Sequence, residues 1–171
     1  MKSINIWTLK KEINAVIWAE RLFLYLPNLT FWWLHFKIEL MTKKPFVEKV
    51  DKPWGFELIL TPPDSPVVGK ILHIKKGGRL SYQYHEKKEE TMALINGRAK
   101  IVVNDEEGEM EFQKGYFIKP FEKHRFQGIT DCDIMEVSTK EEGTTVRLQD
   151  DYQRPDETDE LRKQTNRGWQ K

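Results

Sequence analysis

Residues 78–103 read GRLSYQYHEKKEETMALINGRAKIVV, and the alternation within them decides the fold. The runs 80–84, 91–95 and 99–103 are β-branched or aromatic, as strands are, and Asn96-Gly97 between the last two is a strong hairpin signal. Gln83 and His85 stand two apart, so on a strand they share a face about 7 Å apart and can converge on one ion. A charged turn over 86–89 follows, and Glu90 is expected to open the next strand of a hairpin. The same texture runs outward in both directions. Further strands are predicted at 56–60 (FELIL), 69–74 (GKILHI), 110–112, 116–118, 125–127 and 133–137, with turns at 62–65, 76–78, 104–108 and 114–115. Such spacing suits an all-β sandwich or barrel. The region has no internal repeat, no glycine-rich phosphate loop after a strand and no long amphipathic helix, which disfavours a nucleotide fold.

The chain has 171 residues, enough for one domain and its tails. Its 28 Lys and Arg balance 27 Asp and Glu, and a net charge of +1 provides no field to hold nucleic acid. Cys132 is the single cysteine, so neither an intrachain disulfide nor a thiolate zinc cluster is available, and the chemistry suits the reducing cytoplasm. Its acidic neighbours Asp131 and Asp133 disfavour a thiolate, so it reads as structural. Residues 1–41 differ sharply: 25 of the 41 are hydrophobic, and they include Trp7, Trp18, Trp32 and Trp33. The uncharged run 22–36 would span only about 22 Å as a helix, against about 30 Å of hydrocarbon, so a membrane span is not expected. Glu20 and Arg21 split the stretch, and no small-residue cleavage site follows it. The segment therefore reads as a hydrophobic extension, or Met41 is the true start. Residues 155–171 are polar and read as a short helix or mobile tail.

The candidate chemistry lies in four residues. His124 follows Pro120-Phe121-Glu122-Lys123 and can close a set with Gln83, His85 and Glu90: two imidazoles, one carboxylate and one amide oxygen. That set suits zinc, with manganese, iron, cobalt or nickel as alternatives. By spacing alone the signal is weak, because histidines also fill core edges and a Lys/Glu-rich turn is commonly just solvated. His73, between apolar neighbours, reads as a strand residue without a catalytic role.

The order Gly78-Arg79-Leu80-Ser81, Gln83-Tyr84-His85, Glu90, Gly97 and His124-Arg125 resembles the two motifs of the cupin superfamily, specifically the cupin domain of type II mannose-6-phosphate isomerases. Lys52-Pro53-Trp54-Gly55, Ile134-Met135-Glu136-Val137 and residues 146–154 (VRLQDDYQR) are similar to further motifs of that domain. The resemblance implies a cupin double-stranded β-helix, a jelly-roll barrel of two facing antiparallel sheets over 44–154, and a homodimer. It assigns a divalent metal to Gln83, His85, Glu90 and His124, and aldose-ketose isomerisation of a phosphosugar to the chain. Glu136 is one candidate base and a hydroxide on the ion another. Arg79, Arg125, Arg147 and Lys88 are candidate donors to the phosphate, with Arg147 foremost. Two departures stand out: the segment before His124 lacks the family's Pro-x-Gly glycine, and Tyr152-Gln153-Arg154 replaces Tyr-Gly-Arg. Two other readings compete, because a fold hosts many activities: a noncatalytic sugar-binding or regulatory cupin, and an isomerase or epimerase of another sugar.

Overall fold

The structure is a computed structural model and describes residues 45–169. The hydrophobic segment 1–41 lies outside the described residues. Eleven strands form: β1 (Glu48–Lys52), β2 (Gly55–Ile59), β3 (Val67–Ile74), β4 (Tyr82–His85), β5 (Glu90–Asn96), β6 (Ala99–Val103), β7 (Glu106–Glu109), β8 (Gly115–Ile118), β9 (His124–Gly128), β10 (Cys132–Thr139) and β11 (Thr145–Gln149). A four-residue helix, α1 (Asp159–Arg162), and a 3-10 turn at Thr165–Gly168 follow. The strands make a six-stranded sheet, β1-β2-β3-β10-β5-β8, and a five-stranded sheet, β11-β4-β9-β6-β7. Strand neighbours run antiparallel. This is the expected jelly-roll barrel of two facing sheets. No helix among the described residues is long and apolar enough to cross a membrane.

Period-two alternation builds the interior. In β10, Cys132, Ile134, Glu136 and Ser138 are buried while Met135, Val137 and Thr139 are exposed. The inward row Leu72, Ile134 and Leu94 spans β3, β10 and β5, and Phe126 and Ile101 face it from the other sheet's share of the core. Burying each such side chain contributes about 1.5–3 kcal/mol. Two residues further along the same faces the chemistry changes, because Leu72 gives way to Lys70, Met92 to Glu90 and Ile134 to Glu136, all buried. The barrel thus has an apolar end and an ionic end. Cys132 sits at the apolar end with no exposure, and burial, helped by Asp133 and Asp131, pushes its thiol up to about 11.

Three local expectations need correction. Asn96-Gly97 does reverse the chain, but β5 belongs to the six-stranded sheet and β6 to the five-stranded one, so the turn crosses between sheets. The turn over 86–89 likewise carries β4 to β5 across the barrel and forms no hairpin. Only Asn104-Asp105 turns at the next reversal: both have positive φ, 49° and 72°, which a tight two-residue hairpin turn requires. Glu106–Glu109 then pairs with β6 as an exposed edge strand, where charge is the usual protection, and 110–112 is not a strand. At Gly97, φ is +74° and an added Cβ would lie 2.2 Å from the Asp131 carbonyl oxygen. Gly97→Ala is therefore expected to destabilise the fold by about 2 kcal/mol or more, read as a lower thermal midpoint. An unchanged midpoint would contradict the crossing geometry.

Candidate functional site

The ionic end of the barrel gathers residues from both sheets. β4 ends with His85 pointing inward, and β9 begins with His124, whose backbone is paired with Gln83. Glu90 reaches them from the opposite sheet, at the first position of β5. His85 Nε2 lies 3.3 Å and His124 Nε2 3.1 Å from the same oxygen, Glu90 Oε1. One ligand atom from each of the three lies within 4.8 Å of the others, and all three residues are buried.

The other ring nitrogens are held in place. His124 Nδ1 donates to the Glu122 carbonyl at 2.9 Å, which leaves Nε2 as the nitrogen that can ligate. His85 Nδ1 meets the Thr145 hydroxyl at 3.0 Å. Burial, reinforced by Lys88, pushes His85 down to about 4, so its ring is uncharged at neutral pH. Its Nε2 is fully buried and has no hydrogen-bond partner among the described residues. Glu90 is held well below the usual carboxylate range: burial alone would raise it, but the Lys88 ammonium and the two imidazoles outweigh that. The donor set and the orphaned His85 Nε2 therefore fit a divalent ion, which His85, Glu90 and His124 could hold.

Lys88 lies behind this cluster, with side-chain exposure of 6%. Its ammonium is 2.6 Å from Glu90 Oε2 and 3.0 Å from Glu136 Oε1, and both carboxylates hold it strongly protonated despite burial. Glu136 Oε1 also accepts from the Ser138 hydroxyl at 2.9 Å; among the described residues nothing donates to Oε2. Gln83 lines the same cavity, and its Oε1 accepts from Ser81 Oγ at 2.6 Å.

The candidate phosphate donors fall in different places. Arg125 and Arg147 line the cavity, and each has a buried Nε without a hydrogen-bond partner among the described residues. Arg125 Nη2 donates to the Gln149 carbonyl at 3.1 Å, and Arg147 Nη2 pairs with Glu157 at 2.9 Å. Lys88 is there too, but as the bridge between two carboxylates rather than a free donor. Arg79 does not line this cavity; it is fixed to Asp151 by two bonds of 2.8 and 2.6 Å at the surface. His73 lies at half-exposure on the outer face, bonded to Asp133 at 2.7 Å and stacked on Phe56.

A second set of residues escaped the sequence reading. Lys52, Glu57, Lys70, Glu141, Glu157 and Arg167 also line the cavity as a buried ionic wall. Glu57 lies 3.5 Å from Lys52 and 3.7 Å from Lys70, and Lys70 also pairs with Glu141. The one signal for them was strand alternation, which puts Lys70 on the face of Leu72 and Ile74.

Residues 41–155 match the family model described as mannose-6-phosphate isomerase C-terminal. The chain belongs to this family. Membership covers the strands that carry His85, Glu90, His124 and Glu136. Solved structures agree on the fold. A cupin-2 domain protein from Rhodospirillum rubrum is similar at 12% identity over 64% of this chain and 85% of its own, with a TM-score of 0.53. KdgF from Halomonas sp. is similar at 12% identity over 54% of this chain and 86% of its own, with a TM-score of 0.50. These likenesses place the family domain among cupin barrels. A search of curated proteins finds no match.

Proposed function

We propose that this family member is a metal-dependent phosphosugar isomerase that interconverts an aldose phosphate and its ketose. The observation that carries the reading is the convergence of His85, Glu90 and His124 beside Glu136, whose second carboxylate oxygen has no hydrogen-bond donor among the described residues. A divalent ion held by the three residues, with Gln83 as a further oxygen donor, would polarise the sugar's carbonyl and stabilise negative charge developing on it. Glu136 acts as the base: Oε2 takes the proton from C2 and returns it to C1, while the hydroxyl proton passes from O2 to O1. Lys88 and Ser138 hold Oε1, so the carboxylate presents one oxygen in one orientation. Arg125 and Arg147 supply guanidinium N–H donors for the phosphate.

A noncatalytic sugar-binding role is the second reading, and it is favoured by the pairing of the cavity's cations with carboxylates of the protein itself. One experiment separates the two. Metal content is measured in the purified full chain and after loading with Zn, Mn, Fe, Co and Ni, followed by an isomerase assay on mannose 6-phosphate and other aldose phosphates. About one ion per chain and metal-dependent turnover support the isomerase. Sugar binding without product supports the second reading, and no bound ion under any loading condition overturns the metal mechanism.

A further inference from the structure

The inner cavity that contains the His85, Glu90 and His124 cluster has a volume of about 50 Å³. That is room for about four water molecules, and far too little for a phosphorylated hexose. A larger groove of about 270 Å³ opens outside it, lined in part by Phe46, Ile59, Pro62 and Val68. The two spaces share only Glu141 and Arg167 among their lining residues. A third void, of about 20 Å³, lies against Leu161 and Trp169, and Arg167 lines it too. One guanidinium therefore borders all three spaces.

Arg167 belongs to residues 156–168, beyond the span matched by the family. Apart from two backbone hydrogen bonds between Glu157 and Thr145, both 3.0 Å, this segment is held to the barrel chiefly by charge. Arg167 Nη2 pairs with Glu141, and its Nη1 lies 3.0 Å from Glu157 Oε1. Glu157 in turn holds Arg147 at 2.9 Å and Arg162 at 3.4 Å. Helix α1 buries none of its residues, so little apolar burial fastens the segment. Asn166 and Arg167 have φ of 49° and 51°, a left-handed backbone that non-glycine residues adopt only when surrounding contacts hold it. A segment with few buried apolar contacts and a strained backbone belongs to the part of a fold that opens first.

We propose that residues 156–168 form a strap that closes the inner cavity, and that Arg167 is the wall residue whose displacement joins that cavity to the outer groove. Anything larger than water reaches His85, Glu90 and His124 by moving the Arg167 guanidinium off Glu141 and Glu157. The inference rests on reading the inner cavity as the ligand site, yet its test uses neither a bound metal nor turnover.

The full chain, dialysed against chelator so that no ion shields the rings, is treated with diethyl pyrocarbonate, which modifies unprotonated imidazole. Modification at each histidine is followed by peptide mass spectrometry in the parent protein and in Arg167→Ala. His73, outside the cavity, is the internal reference. The expected result is modification of His85 and His124 at least about tenfold faster in Arg167→Ala, with His73 unchanged. Equal rates at His85 and His124 in the two proteins overturn the strap. Should Arg167→Ala fail to fold, amide hydrogen exchange of the parent decides: residues 158–167 are expected to exchange well ahead of β3 and β10. Protection there as strong as in β10 overturns the proposal.

Discussion

His124→Ala is expected to lose bound metal and isomerase activity together while leaving the barrel folded. The imidazole is one of the three His and Glu groups whose donor atoms converge at the ionic end among the described residues, and its Nδ1–H is already committed to the Glu122 carbonyl. That bond leaves Nε2 as the nitrogen that can ligate. Outer partners of metal-bound histidines typically cost about 10–100-fold in affinity when removed, and loss of the ligand itself should exceed that. Thr145→Val, which removes the hydroxyl beside His85 Nδ1 but keeps the side chain's shape, should fall within the smaller range. Titration of each variant with zinc, with thermal melting as the check on folding, makes the comparison. Undiminished zinc affinity in His124→Ala would refute the assignment of this residue as a ligand.

The barrel and the family were legible because their signals are local. Gln83 and His85 share one face of a strand, the β-branched runs are bounded by turn residues, and the ordered motifs need only sequence. The pairing of strands was not local. Asn96-Gly97 and 86–89 announce that the chain reverses, but a turn signal does not say whether the next strand joins the same sheet or the facing one. In this barrel both reversals change sheets, which is how Glu90 comes to face His85 and His124 from across the interior. β7 was missed for a different reason: Glu106–Glu109 has no apolar alternation because it is an edge strand exposed on both faces. At Tyr152-Gln153-Arg154 the family's glycine is replaced, yet Gln153 keeps a φ of 55°. The backbone shape survives the substitution, held by Asp150, which accepts from the Arg154 N–H at 2.7 Å.

The ionic wall was the least legible part. Charged residues in a sequence ordinarily signify solvent, and nothing in composition distinguishes Lys70 or Glu157 from a surface residue. Their burial becomes intelligible only with the partners in place. Burial alone would raise Glu157, but Lys52, Arg167 and Arg147 outweigh it and hold the carboxyl down to about 2. Those partners come from β1, the C-terminal segment and β11, far apart in sequence. The polar character of residues 155–171, which read as a helix or a mobile tail, is thus in part the chemistry of an inward-facing wall.

Lys88→Met should be the most destabilising single change at the site. The ammonium is wedged between Glu90 Oε2 and Glu136 Oε1, at 2.6 and 3.0 Å, with all three side chains almost without solvent. Methionine keeps the length of the stem but removes the ammonium that the two carboxylates share. Breaking a buried pair by removing one partner typically costs about 3–5 kcal/mol, because the remaining charge stays desolvated. For a chain of this size that corresponds to a thermal midpoint lower by on the order of 10 °C. The mechanism makes a second demand. If uncompensated carboxylate is the cause, adding Glu136→Gln to Lys88→Met should recover part of the loss, whereas two unrelated packing defects would add. Lys88→Arg, which restores a cation, should lie nearer the parent than Lys88→Met. A Lys88→Met protein that melts within about 1 °C of the parent, or a double variant weaker than the sum of the two single changes, would show that the ammonium does not bind the two carboxylates together.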